Sequence, residues 1–122
     1  MRSYAAFGAA VIGKVLDKKS VIQVLENMRD READSQVLAA LGEARYILGD
    51  ESGLQEMFEL YPSGECQLQC AILNHLKEIL NTGNCDQIQS FIESIQDTAA
   101  SVAICENIDS LSEACRILDR ND

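Results

Sequence analysis

Apolar residues recur along this chain at helical spacing, and the helical stripes themselves recur at an interval of 32 residues. Placed beneath one another, the segments AAFGAAVIGKVL (5–16), VLAALGEARYIL (37–48) and QCAILNHLKEIL (69–80) align Leu16, Leu48 and Leu80, preceded by Val15, Ile47 and Ile79. Further columns hold Ala6, Leu38 and Cys70; Ala9, Leu41 and Leu73; and Ile12, Ala44 and Leu76. The columns step by 3, 3, 3 and 1 residues, the spacing of one buried helical stripe.

Each segment runs into a polar break: Asp17-Lys18-Lys19, Gly49-Asp50-Glu51-Ser52 or Asn81-Thr82-Gly83-Asn84. Gly49 and Gly83 suit helix C-caps, and Ser20 and Ser52 suit N-caps. A second helix follows, with Ile22, Leu25 and Met28 in the first unit and Leu54, Met57 and Leu60 in the second, again 32 apart. In the third unit Ile88, Phe91 and Ile95 come about two residues late, which calls for a longer loop before them. Pro62 ends a helix, because proline supplies no amide donor and disfavours helical geometry in the residue before it.

This reading predicts helices near 3–16, 20–29, 35–48, 52–60, 65–80, 86–96, 98–106 and 110–118. They make an all-α single domain over 1–122, about three and a half hairpins near 3–29, 35–60, 65–96 and 98–118. The last pair is the irregular one. LSEACRIL (111–118) is similar to LGEARYIL (41–48), but the helix before it is short, as in a degenerate terminal repeat.

Composition agrees with helix. Apolar residues make up 47% of the chain and charged residues 25%, with one proline and no tryptophan, and 122 residues suffice for a core without metal or disulfide support. The net charge of −10 argues against nucleic acid, whose readers need a basic stripe to release counterions. The sign is uneven: residues 1–20 carry Arg2, Lys14, Lys18 and Lys19 against Asp17, whereas residues 21–61 hold nine acids and three bases. Such a surface is soluble and steers a basic protein partner.

The five cysteines, Cys66, Cys70, Cys85, Cys105 and Cys115, are odd in number and lack a CxxC spacing, which reads as reduced thiols in the cytoplasm. Ala5 to Gly13 is followed by Lys14, Lys18 and Lys19 with no small-residue cleavage site, so no signal peptide is expected. No apolar run reaches the roughly 18 residues of a membrane span, so no membrane contact is expected.

Val37, Ala40 and Ala44, followed by Leu48-Gly49-Asp50 and then Leu54 and Met57, resemble the HEAT-like repeat family, including its short bacterial variety. The likeness lies in spaced alanines, a Leu-Gly-Asp corner and a leucine-rich second helix, over roughly residues 4–96. The first unit lacks the corner glycine, and the family's usual prolines and arginines are largely absent. The resemblance implies a right-handed stack of antiparallel helical hairpins, an α-solenoid, and a role in protein binding rather than a common chemistry.

Candidate chemistry is sparse. His75, the only histidine, shares a column with Val11 and Glu43 beside the buried stripe. With Cys66, Cys70 and Cys85 it has the composition of a Cys3His zinc site, but Cys70 falls in a core column, where free cysteine acts as a small apolar residue. No metal, no cofactor and no catalytic residue is expected, since no Ser-His-Asp, Cys-His or phosphate-loop arrangement is present.

The second helices offer more. Gln23, Gln55 and Gln87 or Gln89 recur in one column, with Glu26, Glu59 and Glu93 beside them and Asn27 and Glu56 at the margins. Together Gln23, Glu26, Asn27, Gln55, Glu56, Glu59, Gln89 and Glu93 describe a polar, acidic face suited to a basic helix or peptide. Tyr4, Phe7 and Val11 add an apolar stripe to the first helix where a terminal repeat should be polar. That stripe calls for a cover, either a homodimer through this edge or a longer array of which the chain is part.

The leading expectation is a small, non-enzymatic protein-interaction module. The alternatives are an acidic inhibitor or immunity-type protein that blocks a basic site, and an accessory lyase-like HEAT-repeat protein.

Overall fold

The computed structural model describes residues 18–98 and 101–120. The expected helix at 3–16, with Tyr4, Phe7 and Val11, lies outside them. Six α-helices are described: α1 (Lys18–Arg31), α2 (Ser35–Ile47), α3 (Ser52–Leu60), α4 (Cys66–Ile79), α5 (Cys85–Ile95) and α6 (Val102–Arg120). Short 3-10 turns follow α3 at Tyr61–Ser63 and α5 at Gln96–Thr98. The all-α expectation holds among the described residues, which contain no strand. By its internal contacts the chain divides into two compact units, 1–63 and 64–122.

In the first unit α1 packs on α2, and α2 packs most extensively on α3. Leu25 of α1 is fully buried against Val37, Leu41, Ala44 and Leu48, with Val21, Ile22 and Met28 closing the edge. Leu41, Ala44 and Leu48, apolar positions of the sequence pattern, are buried, whereas Leu38 and Ile47 of the same helical segment are half-buried. Each such leucine contributes roughly 1.5–3 kcal/mol by leaving water. Asp34 caps α2, its side chain accepting from the Gln36 amide at 2.9 Å, which satisfies one of the first turn's orphan donors.

The corner between α2 and α3 is built by Gly49, whose φ of 103° lies in the left-handed region open to glycine. The Gly49 amide donates to the Tyr46 carbonyl at 3.0 Å and the Asp50 amide to the Arg45 carbonyl at 2.9 Å. That pair of bonds is the Schellman closure of a helix C-terminus. Past the corner α2 and α3 approach with no side chains between them at one point. A Cβ on Gly53 would lie 2.1 Å from the Gly42 carbonyl oxygen.

In the second unit α6 is the central element, packing on both α4 and α5. Its buried positions Ile104, Ile108, Leu111 and Cys115 step by four, three and four residues, a continuous stripe. Ile72, Leu73, Leu76 and Ile79 of α4 and Ile88, Ile92 and Ile95 of α5 are buried too. The Lys77 ammonium donates to Ser110 Oγ at 2.7 Å, and the Cys85 thiol to the Cys115 carbonyl at 3.5 Å.

Several local expectations need correcting. The two helices expected at 98–106 and 110–118 are one, α6. Residues 107–109 hold no glycine or proline to stop it, and Asn107 bonds back along the helix to the Ala103 carbonyl at 2.8 Å. Gly83 caps nothing, since Gly49 alone among the described residues has a positive φ. A pair of asparagines closes that loop instead: Asn81 Oδ1 accepts from the amides of Gly83 and Asn84, and Asn84 Nδ2 donates to the Ile79 carbonyl at 2.9 Å. Ser20 lies within α1 rather than before it. Ser52 is the first residue of α3 rather than its N-cap, which is Glu51, and Asp50 ahead of it accepts from the Ser52 amide at 3.1 Å. In α5 the buried position is Ile92, with Phe91 half-buried. Glu43, expected beside the stripe, is fully buried.

Candidate binding cleft

The first unit carries a buried polar cluster that no helical periodicity announces. Arg45, aligned with Lys77 in the repeat, is fully buried. Its Nη1 donates to Asp50 Oδ2 at 3.2 Å and to Ser52 Oγ at 3.3 Å, and its Nη2 is paired with Glu56 Oε2. The other Glu56 oxygen accepts from Arg29 Nη1 at 2.8 Å. Glu56, on α3, therefore ties the end of α1 to the end of α2 through two guanidinium groups. The signal was present in part, because the Gly49 corner brings Asp50 and Ser52 back over the last turn of α2.

These contacts set the local charges. Burial alone would raise the Asp50 pKa, but bonds from the Ser52 hydroxyl and amide and the nearby Arg45 charge hold it below its ordinary value. The Arg29 guanidinium is held above its ordinary value, chiefly by its bond to Glu56, against some desolvation.

Beside this cluster a cleft of about 370 Å³ is lined by Arg29, Glu32, Leu38, Glu56, Glu59 and Leu60. Comparison of the chain with protein-family models, characterised proteins and solved structures gave no match. The cleft must be read from its own chemistry. Three carboxylates face one guanidinium, so its formal charge is 1 − 3 = −2. Arg29 and Glu56 neutralise each other, and Glu32 Oε1 is held in the loop by the Ala33 and Asp34 amides at 3.2 and 3.0 Å. Glu59 is exposed and has no ion-pair or hydrogen-bond partner among the described residues. Leu38 and Leu60 supply an apolar wall.

Of the residues expected to bind a partner, the cleft collects Glu56 and Glu59. Gln23 and Asn27 are exposed on α1 and bonded to each other at 3.3 Å. Glu26 is half-buried on α1 and Gln55 exposed on α3. Gln89 and Glu93 stand on α5 of the second unit, half-buried and exposed respectively. Arg29, Glu32, Leu38 and Leu60 were missed, because they come from the end of α1, the loop after it and two further helices, which no single-helix pattern joins. No described helix is long and apolar enough to cross a membrane.

Proposed function

We propose that this chain is a non-enzymatic binding module whose first-unit cleft receives a lysine or arginine side chain of a partner protein. The observation that carries this reading is the pairing of an apolar wall, Leu38 and Leu60, with the carboxylate of Glu59, which has no partner among the described residues, in one cleft. Long basic side chains have the same two-part character, an apolar stem and a charged head. The Arg29–Glu56–Arg45 tie supports the reading by fixing the floor of the cleft before any partner arrives, which lowers the ordering cost of binding. The finer arrangement, a right-handed HEAT-like stack presenting the second helices on one face, belongs to the same proposal.

The test is calorimetric titration of the full chain with a lysine-rich helical peptide, at low and at physiological salt. Glu59→Lys should abolish binding, Glu59→Gln should weaken it, and Gln23→Ala should change it little. Equal affinity for the wild type and Glu59→Lys would overturn the cleft as the site. An affinity that vanishes at physiological salt and depends equally on every surface acid would instead favour an inhibitor acting by charge alone.

A further inference from the structure

On the reading that the cleft seats a partner's basic side chain, we infer that Arg29 is a built-in occupant of that seat, which the incoming side chain displaces from Glu56. Arg29 is the one cation among the residues lining the cleft. Its Nη1 donates to Glu56 Oε1 at 2.8 Å, so the chain's own guanidinium already takes a contact that a foreign lysine or arginine would seek. Glu56 and Glu59 stand three residues apart on α3, and both line the cleft. Such neighbours on one helix face have Cβ atoms about 5–6 Å apart. A basic head that reaches Glu59 therefore arrives beside the Glu56–Arg29 pair.

The two guanidinium groups on Glu56 differ in whether they can leave. Arg45 is fully buried, and breaking its contact would strand a charge away from water. The Arg29 side chain is 32% exposed and that of Glu56 25%, and a pair that meets solvent is worth no more than about a fivefold bias in an equilibrium. Arg29 also has a second carboxylate to keep. Its Nε donates to Asp30 Oδ1 at 3.2 Å, and its Nη2 lies 3.2 Å from the same oxygen. Released from Glu56, Arg29 stays paired with Asp30 and gains water.

Glu56 meanwhile remains anchored by Arg45 and trades one cation for another, so neither of its oxygens is left without a partner. The exchange also makes the cleft selective. An apolar side chain that pushed Arg29 aside would leave a part-buried carboxylate oxygen unsatisfied, which costs more than the contact gains.

The experiment is calorimetric titration of the full chain with the lysine-rich helical peptide at physiological salt, where long-range attraction is screened and short contacts persist. Arg29→Met keeps an apolar stem and removes the charge, and it should bind the peptide about fivefold more tightly than the wild type. Arg29→Lys restores a competing cation and should return affinity to the wild-type range. Arg31→Met removes an exposed charge of α1 outside the cleft and should change affinity by less than about twofold, which separates displacement from a general gain in negative charge. Helicity by circular dichroism should match the wild type in all three variants. In heteronuclear NMR the Arg29 side-chain signal should move as the peptide saturates the chain, while that of Arg45 stays in place. Unchanged or weaker binding by Arg29→Met, an equal gain in Arg31→Met, or an Arg29 signal indifferent to the peptide would each overturn the displacement, while wild-type binding through Glu59 would leave the cleft standing as the site. Binding by neither the wild type nor Arg29→Met would overturn both.

Discussion

Arg45 shows what a single side chain decides here. A fully buried guanidinium is costly unless its partners are close and charged, and removing one partner is far worse than never having had the charge. Glu56→Gln leaves Arg45 with Asp50 as its one charged partner among the described residues, and Glu56 is itself 25% exposed at its side chain, so the cost should be about 3 kcal/mol, the low end for a broken buried pair. Arg29→Met removes the outer pair to Glu56, 32% exposed on the Arg29 side, and an exposed pair to Asp30, and should cost less than about 1 kcal/mol. Urea unfolding of the two variants would measure both, and equal costs would show that Arg45 does not depend on Glu56. Asp50 adds a pH dependence. Its pKa is lowered from 3.8 in the folded chain, so its contribution is complete above the unfolded value and is lost as pH falls through the folded value. Stability should therefore decline below about pH 4, and Asp50→Asn should flatten that decline while lowering stability at neutral pH.

Two elements have sharp tests. The approach of α2 and α3 at Gly42 and Gly53 leaves no room for a methyl group against backbone, because a backbone oxygen cannot rotate aside as a side chain can. Gly53→Ala should cost about 1–3 kcal/mol even though alanine gains roughly 1 kcal/mol over glycine in helix propensity. Thermal unfolding followed by circular dichroism would check it, and a stabilised variant would mean that the helices stand farther apart. The second test concerns α6. Asn107 sits where the repeat pattern asks for a turn, and the structure has uninterrupted helix. Asn107→Pro should cost about 3 kcal/mol or more, the penalty of a helix interior. A tolerated proline would restore the hairpin that the repeat suggested.

For the molecule as a whole, charge makes the two salt responses differ in sign. A net charge of −10 repels itself, so screening should raise the unfolding temperature between low and physiological salt. Association with a basic partner should weaken over the same range. Falling stability with added salt would show that surface ion pairs outweigh the excess of acids. The buried Arg45 tie is screened little in either case.

By itself the sequence determined the helices at 35–47, 52–60, 66–79 and 85–95 to within a residue or two, because apolar periodicity and corner chemistry are local properties. It determined the buried columns at Leu41, Ala44, Leu73 and Leu76 for the same reason. What only the tertiary structure decided are contacts between segments. Repeat logic placed a turn at 107–109, but the continuous apolar stripe of α6 against α4 and α5 favoured one helix. The sequence pattern is silent on Arg45, whose burial follows from a corner and a third helix folding over it. The cleft likewise draws Glu32, Leu38 and Glu59 from separate segments. Periodicity names the face of a helix that turns inward, but the partner it meets is set by packing between segments distant in the chain.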